Sequence, residues 1–91
     1  MKITENELKE KIKIFEGQDI IAQFDNLLEA TIEMNNVHIN YNLKNGILHI
    51  EDSKNDNEIR INIVSAYNIE LNNMNLQIFL DNEIDLTIMK K

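Results

Sequence analysis

The sequence predicts a mainly β, α+β fold: an N-terminal amphipathic helix followed by a bent antiparallel meander of about five to six strands. Such a meander makes a small half-open barrel or a curled sheet with the helix packed across it. Three observations carry this expectation. An apolar stripe at helical spacing runs up to Gly17, apolar residues then recur with period two almost to the C-terminus, and Asn-rich turns interrupt that alternation at regular intervals.

Thr4-Glu5-Asn6-Glu7 fits a capping box, with Thr4 as N-cap and Glu7 three residues on. Leu8, Ile12 and Phe15 follow on one helical face, and Gly17 is placed for a C-terminal stop. The helix is therefore expected over about 5–16, with the meander over about 18–89 and the whole chain, 1–91, as one domain. Ile20, Ala22, Phe24, Leu28, Ala30, Ile32 and Met34 all fall on even positions. Asn35-Asn36 then reads as a two-residue hairpin turn pairing Met34 with Val37, Ile32 with Ile39 and Ala30 with Tyr41. Asn45-Gly46 is the stronger turn signal, pairing Leu43 with Leu48 and Tyr41 with Ile50.

Residues 52–57, DSKNDN, form a polar loop, across which Ile50 pairs with Ile59. Asn72-Asn73 pairs Leu71 with Met74, Ile69 with Leu76 and Tyr67 with Ile78. A three-residue loop, Asp81-Asn82-Glu83, pairs Leu80 with Ile84 and Ile78 with Leu86. A slip of one residue at any turn would reverse every face, so the agreement of faces at four turns supports the whole pattern. Two stretches, 18–34 and 58–71, exceed ordinary strand length. Leu27 in one, and Val64 and Ala66 in the other, fall on the opposite parity, so a bend or bulge is expected in each. In outline, a helix followed by a bent antiparallel meander resembles the Sm-like proteins. The likeness is one of architecture and implies no site residue.

Composition narrows the function. Sixteen acidic residues against nine basic give a net charge of −7, and Arg60 is the single arginine. A surface that displaces counterions from phosphates needs clustered Lys and Arg, so no direct nucleic-acid binding is expected. There is no cysteine, hence no disulfide framework or thiolate metal site. No apolar run approaches a membrane span, and the charged N-terminus lacks a signal-peptide core. A cytoplasmic protein without a membrane partner is expected. Neither a nucleotide loop nor a metal motif occurs. The 52–58 segment departs from a calcium loop at Lys54 and lacks its glycine, so no metal or cofactor is expected.

The predicted registers set Glu33 opposite His38, and His38 opposite Ser53, a row with the residue types of a hydrolase triad. Neither a nucleophile elbow nor glycine-rich oxyanion donors accompany it, and an ordinary cross-strand Glu–His pair explains the same residues. No enzyme is expected. Charge distribution points elsewhere. Glu33, Glu51, Asp52, Asp56 and Glu58 are expected at one pole of the sheet, with Glu51 directly opposite Glu58. Lys44, Lys90 and Lys91 are expected at the other pole. Asp81, Glu83 and Asp85 make a second acidic cluster, and Phe79 an apolar spot on the polar parity beside Ala66. Like charges set opposite each other reduce stability, which is what a surface built to meet a basic partner tolerates.

The expected function is thus a small acidic protein-binding module. It would be an inhibitor occupying the basic, nucleic-acid-binding site of a partner, of the mobile-element anti-defence or immunity-protein type. The alternative is a structural, self-assembling β protein that forms homo-oligomers through sheet edges or an apolar patch.

Overall fold

Thr4 and Glu7 form the capping box the sequence announces. In the computed structural model, which describes residues 4–26, 29–63, 68–80 and 84–91, Thr4 Oγ1 accepts from the Glu7 amide and Glu7 Oε1 accepts from the Thr4 amide, both at 3.2 Å. The helix α1 runs Glu5–Lys11 and tightens into a 3-10 turn over Ile12–Phe15. The spacing of the apolar residues permits the change. Leu8, Ile12 and Phe15, four and then three apart, share one face in either winding, so the last turn tightens while Phe15 stays on the buried side. All three are buried, at 0%, 2% and 0% exposure. Gly17, at φ +73°, ends the segment in a conformation that costs glycine least.

Eight strands follow: β1 Ile20–Asn26, β2 Ala30–Met34, β3 Val37–Asn42, β4 Ile47–Asp52, β5 Asn57–Asn62, β6 Asn68–Asn72, β7 Asn75–Phe79 and β8 Ile84–Lys90. They form two antiparallel sheets, a five-stranded one in the order β2-β1-β8-β7-β6 and a three-stranded one in the order β3-β4-β5. The mainly β architecture with a helix packed on a sheet is as expected, and the helix lies against β3. The two sheets remain open among the described residues, without a closed barrel, and the division into eight strands departs from the Sm-like outline.

The long stretches are where the expected meander differs. Residues 18–34 hold two strands, β1 and β2, which pair with each other: Ile20 with Met34, Ala22 with Ile32, Phe24 with Ala30. Asn35-Asn36 is consequently a corner between sheets, and the expected Met34–Val37, Ile32–Ile39 and Ala30–Tyr41 pairs are absent. Residues 58–71 likewise divide into β5 and β6, which lie in different sheets. Leu27, Val64, Ala66 and Tyr67 lie outside the described residues.

The Asn45-Gly46 hairpin forms with a register two residues away from expectation, pairing Tyr41 with Leu48 and Ile39 with Ile50 around a four-residue loop, 43–46. Asn42 is the cause. Its side-chain oxygen accepts from the Lys44 amide at 2.9 Å and draws the chain into a wider turn, which Gly46 closes at φ +69°. The loop 53–56 repeats the device, with Asp52 accepting from Lys54 at 2.9 Å and Asp56 at φ +60°. Asn73-Met74, both at positive φ, form the β6–β7 turn, one residue later than Asn72-Asn73. A shift of two in register leaves every face unchanged. The Ile50–Ile59, Glu51–Glu58 and Ile78–Leu86 pairs occur as expected.

Because the faces hold, the apolar parities converge. Ile20, Ala22, Met34, Val37, Ile39, Leu48, Ile50, Ile59, Leu76, Ile78, Leu86 and Ile88 join the helical stripe in one buried cluster. No helix among the described residues is long and apolar enough to cross a membrane.

The cap gives a direct check. Thr4→Ala is expected to destabilise the protein by about 0.5–2 kcal/mol, read as a lower urea midpoint with an unchanged m-value. An unmoved midpoint would mean that the burial of Leu8, Ile12 and Phe15 holds the helix without its cap.

Candidate partner-binding surface

The alternation that buries one face of β3-β4-β5 turns the other outward. Two adjacent rows cross it: His38, Glu51 and Glu58, then Asn40, His49 and Arg60. Asn40, Asn42, Asn45, Ile47, His49 and Arg60 line a shallow open depression of about 310 Å3 on this face. The protein's single arginine and both histidines therefore lie among its acidic residues.

Glu51 is exposed and faces Glu58 across β4–β5, as the sequence leads one to expect. Its neighbour in β3 is His38, whose ring is engaged elsewhere. Nδ1 of His38 is 2.7 Å from Glu16 Oε2, while Glu16 Oε1 accepts from the Ile39 amide at 3.0 Å. That amide and His38 together hold the Glu16 carboxyl below its usual range, against a smaller opposing effect of desolvation. Glu58 Oε1 meets Arg60 at 3.2 Å, and His49 Nε2 lies 3.4 Å from the same oxygen without hydrogen-bond geometry. Glu51 alone in this row makes no ion pair among the described residues.

The rest of the expected acidic pole is distributed differently. Glu33 is exposed on β2, in the other sheet, and ion-pairs with Lys91 at 3.3 Å. The C-terminal lysines thus do not mark an opposite pole: β8 pairs with β1, and β1 with β2, which brings Lys91 beside Glu33. Asp56 is exposed in the β4–β5 loop.

Asp52 points inward and is fully buried. Its Oδ2 accepts from the Asn35 amide at 3.0 Å and Asn55 Nδ2 at 3.2 Å, and its Oδ1 from the amides of Lys54 at 2.9 Å and Asn55 at 3.1 Å. It therefore fastens the corner between the sheets to the β4–β5 turn and cannot meet a partner. Position 52 continues the inward parity of Leu48 and Ile50, so alternation alone identifies it as interior.

The triad-like row does not assemble. Glu33 is in the five-stranded sheet, His38 faces Glu51, and Ser53 is in the turn. Of the second acidic cluster, Asp81 and Glu83 lie outside the described residues. Asp85 pairs in register with Asp25 of β1, a second like-charge opposition. Asp25 was not expected there, because no turn signal announces that β1 pairs with β8. Phe79 is half-buried, with Asn68 and Asp85 as its cross-strand neighbours in place of Ala66. No group of three or more potential metal ligands occurs among the described residues. Scans against protein-family models, curated proteins and solved structures find no match to the chain.

Asp52 makes stability pH-dependent in a defined direction. The Asn35 amide is the largest influence on its carboxyl; despite the opposing effect of burial, the four donors together hold it below the ordinary value of 3.8. A depressed folded pKa stabilises the fold at pH values above the ordinary one, and that stabilisation is lost as pH falls through the depressed value. Asp52→Asn keeps the shape, removes the charge and turns an amide donor toward another donor. Its melting temperature is expected to fall well below the parent's at neutral pH, with the gap narrowing in acid. A gap that stays constant down to the acid limit would show that the charge is immaterial to the corner.

Proposed function

We propose that the protein is a non-enzymatic binding module that meets a basic site on another protein through the outer face of β3-β4-β5. Glu51 carries this reading. It is exposed, set opposite Glu58 by the register, and without a cation of its own because Glu16 holds His38. Opposed carboxylates reduce stability in isolation. A partner's Lys or Arg placed between them would relieve the repulsion and gain an attraction from each. Asp56 is exposed in the adjoining β4–β5 loop, and the net charge of −7 adds long-range steering toward a positive surface. Basic sites of that kind are characteristic of nucleic-acid-handling enzymes, so the finer proposal is an inhibitor of the anti-defence or immunity type. Asp52, buried, has no part in it, and Glu33, with Lys91 as partner, contributes only to the general field.

The experiment separates binding from stability. A partner captured at low salt and released at high salt is assayed against the parent and Glu51→Gln/Glu58→Gln at two ionic strengths. Glu58→Gln loses an exposed pair with Arg60 and the double variant loses the repulsion, so stability is expected to stay within about 1 kcal/mol of the parent. Association at low salt is expected to slow by about tenfold, with little change at high salt. Equal association rates for the two proteins at both salts would overturn the proposal.

A further inference from the structure

β3 is an edge strand, and the chain covers only part of its edge. Val37 donates to the Gln18 carbonyl at 3.1 Å and accepts from the Gly17 amide at 2.8 Å, so its backbone groups point away from β4. Two residues on, the Ile39 amide faces the same way and donates to the Glu16 carboxylate at 3.0 Å. By the alternation of the strand, Tyr41 comes next. On that side no acceptor meets its amide among the described residues. Residues 16–18 thus act as an incomplete neighbouring strand, which stops where a groove begins.

That groove, about 580 Å3, is lined by Lys9, Asn40, Tyr41, Asn42, Leu43 and Lys44. A smaller recess of about 110 Å3 extends it toward Ile12 and Lys13 of the helical segment. Leu43 is 41% exposed here, one of two large apolar side chains exposed among the described residues. Tyr41 is 2% exposed, and burial first, then the nearby Glu5 carboxylate, push its hydroxyl above the usual pKa. Lys9 and Lys44 make no ion pair among the described residues, whereas Lys13 pairs with Glu10 at 3.1 Å. In a chain of net charge −7, the groove is thus lined by two lysines that make no ion pair among the described residues.

We propose that this groove docks an extended acidic segment of a partner protein, which adds as a strand beside Tyr41 and continues the line begun by residues 16–18. Strand addition takes its affinity from main-chain hydrogen bonds and its selectivity from alternate side chains. Here the main-chain partner is the outward edge of Tyr41, Leu43 supplies an apolar contact, and Lys9 and Lys44 meet carboxylates. Glu16 is the precedent within the chain, since its carboxylate already occupies this edge one position earlier.

The probe is an N-acetylated peptide of alternating Glu and Val, with a Lys/Val counterpart and an N-methylated Glu/Val version that cannot form the main-chain ladder. Binding to the full chain is read by amide chemical shifts and by anisotropy of labelled peptide. The acidic peptide is expected to shift the amides of Tyr41, Leu43 and Lys44, and N-methylation to abolish this. Lys9→Glu/Lys44→Glu is expected to weaken binding by about tenfold with a melting temperature only slightly below the parent's, since both lysines are exposed and Lys9 gives up only a favourable place in the last turn of α1. The Lys/Val peptide is expected to leave these amides unmoved. Several outcomes overturn the proposal: no shift at millimolar peptide, equal binding of the N-methylated peptide, equal affinity in the charge-reversed variant, or shifts confined to the Glu51–Glu58 row. Shifts that follow protein concentration without peptide also overturn it, because a second copy of the chain would then be the occupant. The Glu51→Gln/Glu58→Gln variant is expected to bind the acidic peptide at least as well as the parent, which keeps this test separate from the basic-partner reading.

Discussion

The contact on which this architecture turns is the carboxylate of Asp52 against the backbone of Asn35. Met34 belongs to the five-stranded sheet and Val37 to the three-stranded one, so the chain changes layers within two residues. A change so abrupt removes both intervening amides from any ladder, and an unpaired amide inside a protein is costly. Two aspartates resolve this, Asp52 accepting from Asn35 and Asp19 from Asn36, each at 3.0 Å. Asp19 is on the surface, whereas Asp52 is buried and holds its charge only because four donors surround it. Much of the surface arrangement follows. With the corner fixed, Glu33 turns outward on one sheet and Glu51 on the other, and residues 16–18 reach the edge of β3.

Those three residues shape the surface as much as the interior. An exposed strand edge invites pairing with other chains, and proteins blunt such edges with charge or by covering them. Here one segment does both. Gly17 and Gln18 supply backbone groups to Val37, and Glu16 supplies a carboxylate to Ile39. The same carboxylate engages His38, so closing the edge also leaves Glu51 without a cation. Protection of the edge and the acidity of the outer face are thus two effects of Glu16.

Local signals in the sequence proved readable, while those that depend on distant residues did not. The Thr4/Glu7 box, the Leu8–Ile12–Phe15 stripe, the inward parities and the Glu51–Glu58 opposition all rest on nearby residues, and all are present. The turn registers at 43–46 and 73–74 lie two residues from expectation. The Asn42 side chain sets the first, and positive φ at Asn73 and Met74 sets the second. Asn35-Asn36 has the composition of a hairpin turn and is a corner, because what decides between the two is Asp52, seventeen residues away. The pairing of β1 with β8 has no local signature at all, which is why Asp25 and the Glu33–Lys91 pair were not foreseen. Among the expected surface residues, exposure follows parity. Glu33, Glu51 and Glu58 have outward parity and are exposed, whereas Asp52 shares the parity of Ile50 and is not.

The β1–β8 pairing has a consequence in time. The middle of the larger sheet is built from its first and last strands, with Ile20 beside Lys90. Bringing such distant segments together carries a loop-closure entropy cost before any ladder bond repays it, and proteins dominated by distant pairings fold slowly. The three-stranded sheet, with two short hairpins, can assemble from neighbours as soon as its residues exist. During synthesis β1 would have β2 as its only sheet partner until β8 emerged, leaving its other edge exposed through most of translation. For this protein the interval between the synthesis of Asn26 and that of Lys90 is when chaperones would matter most.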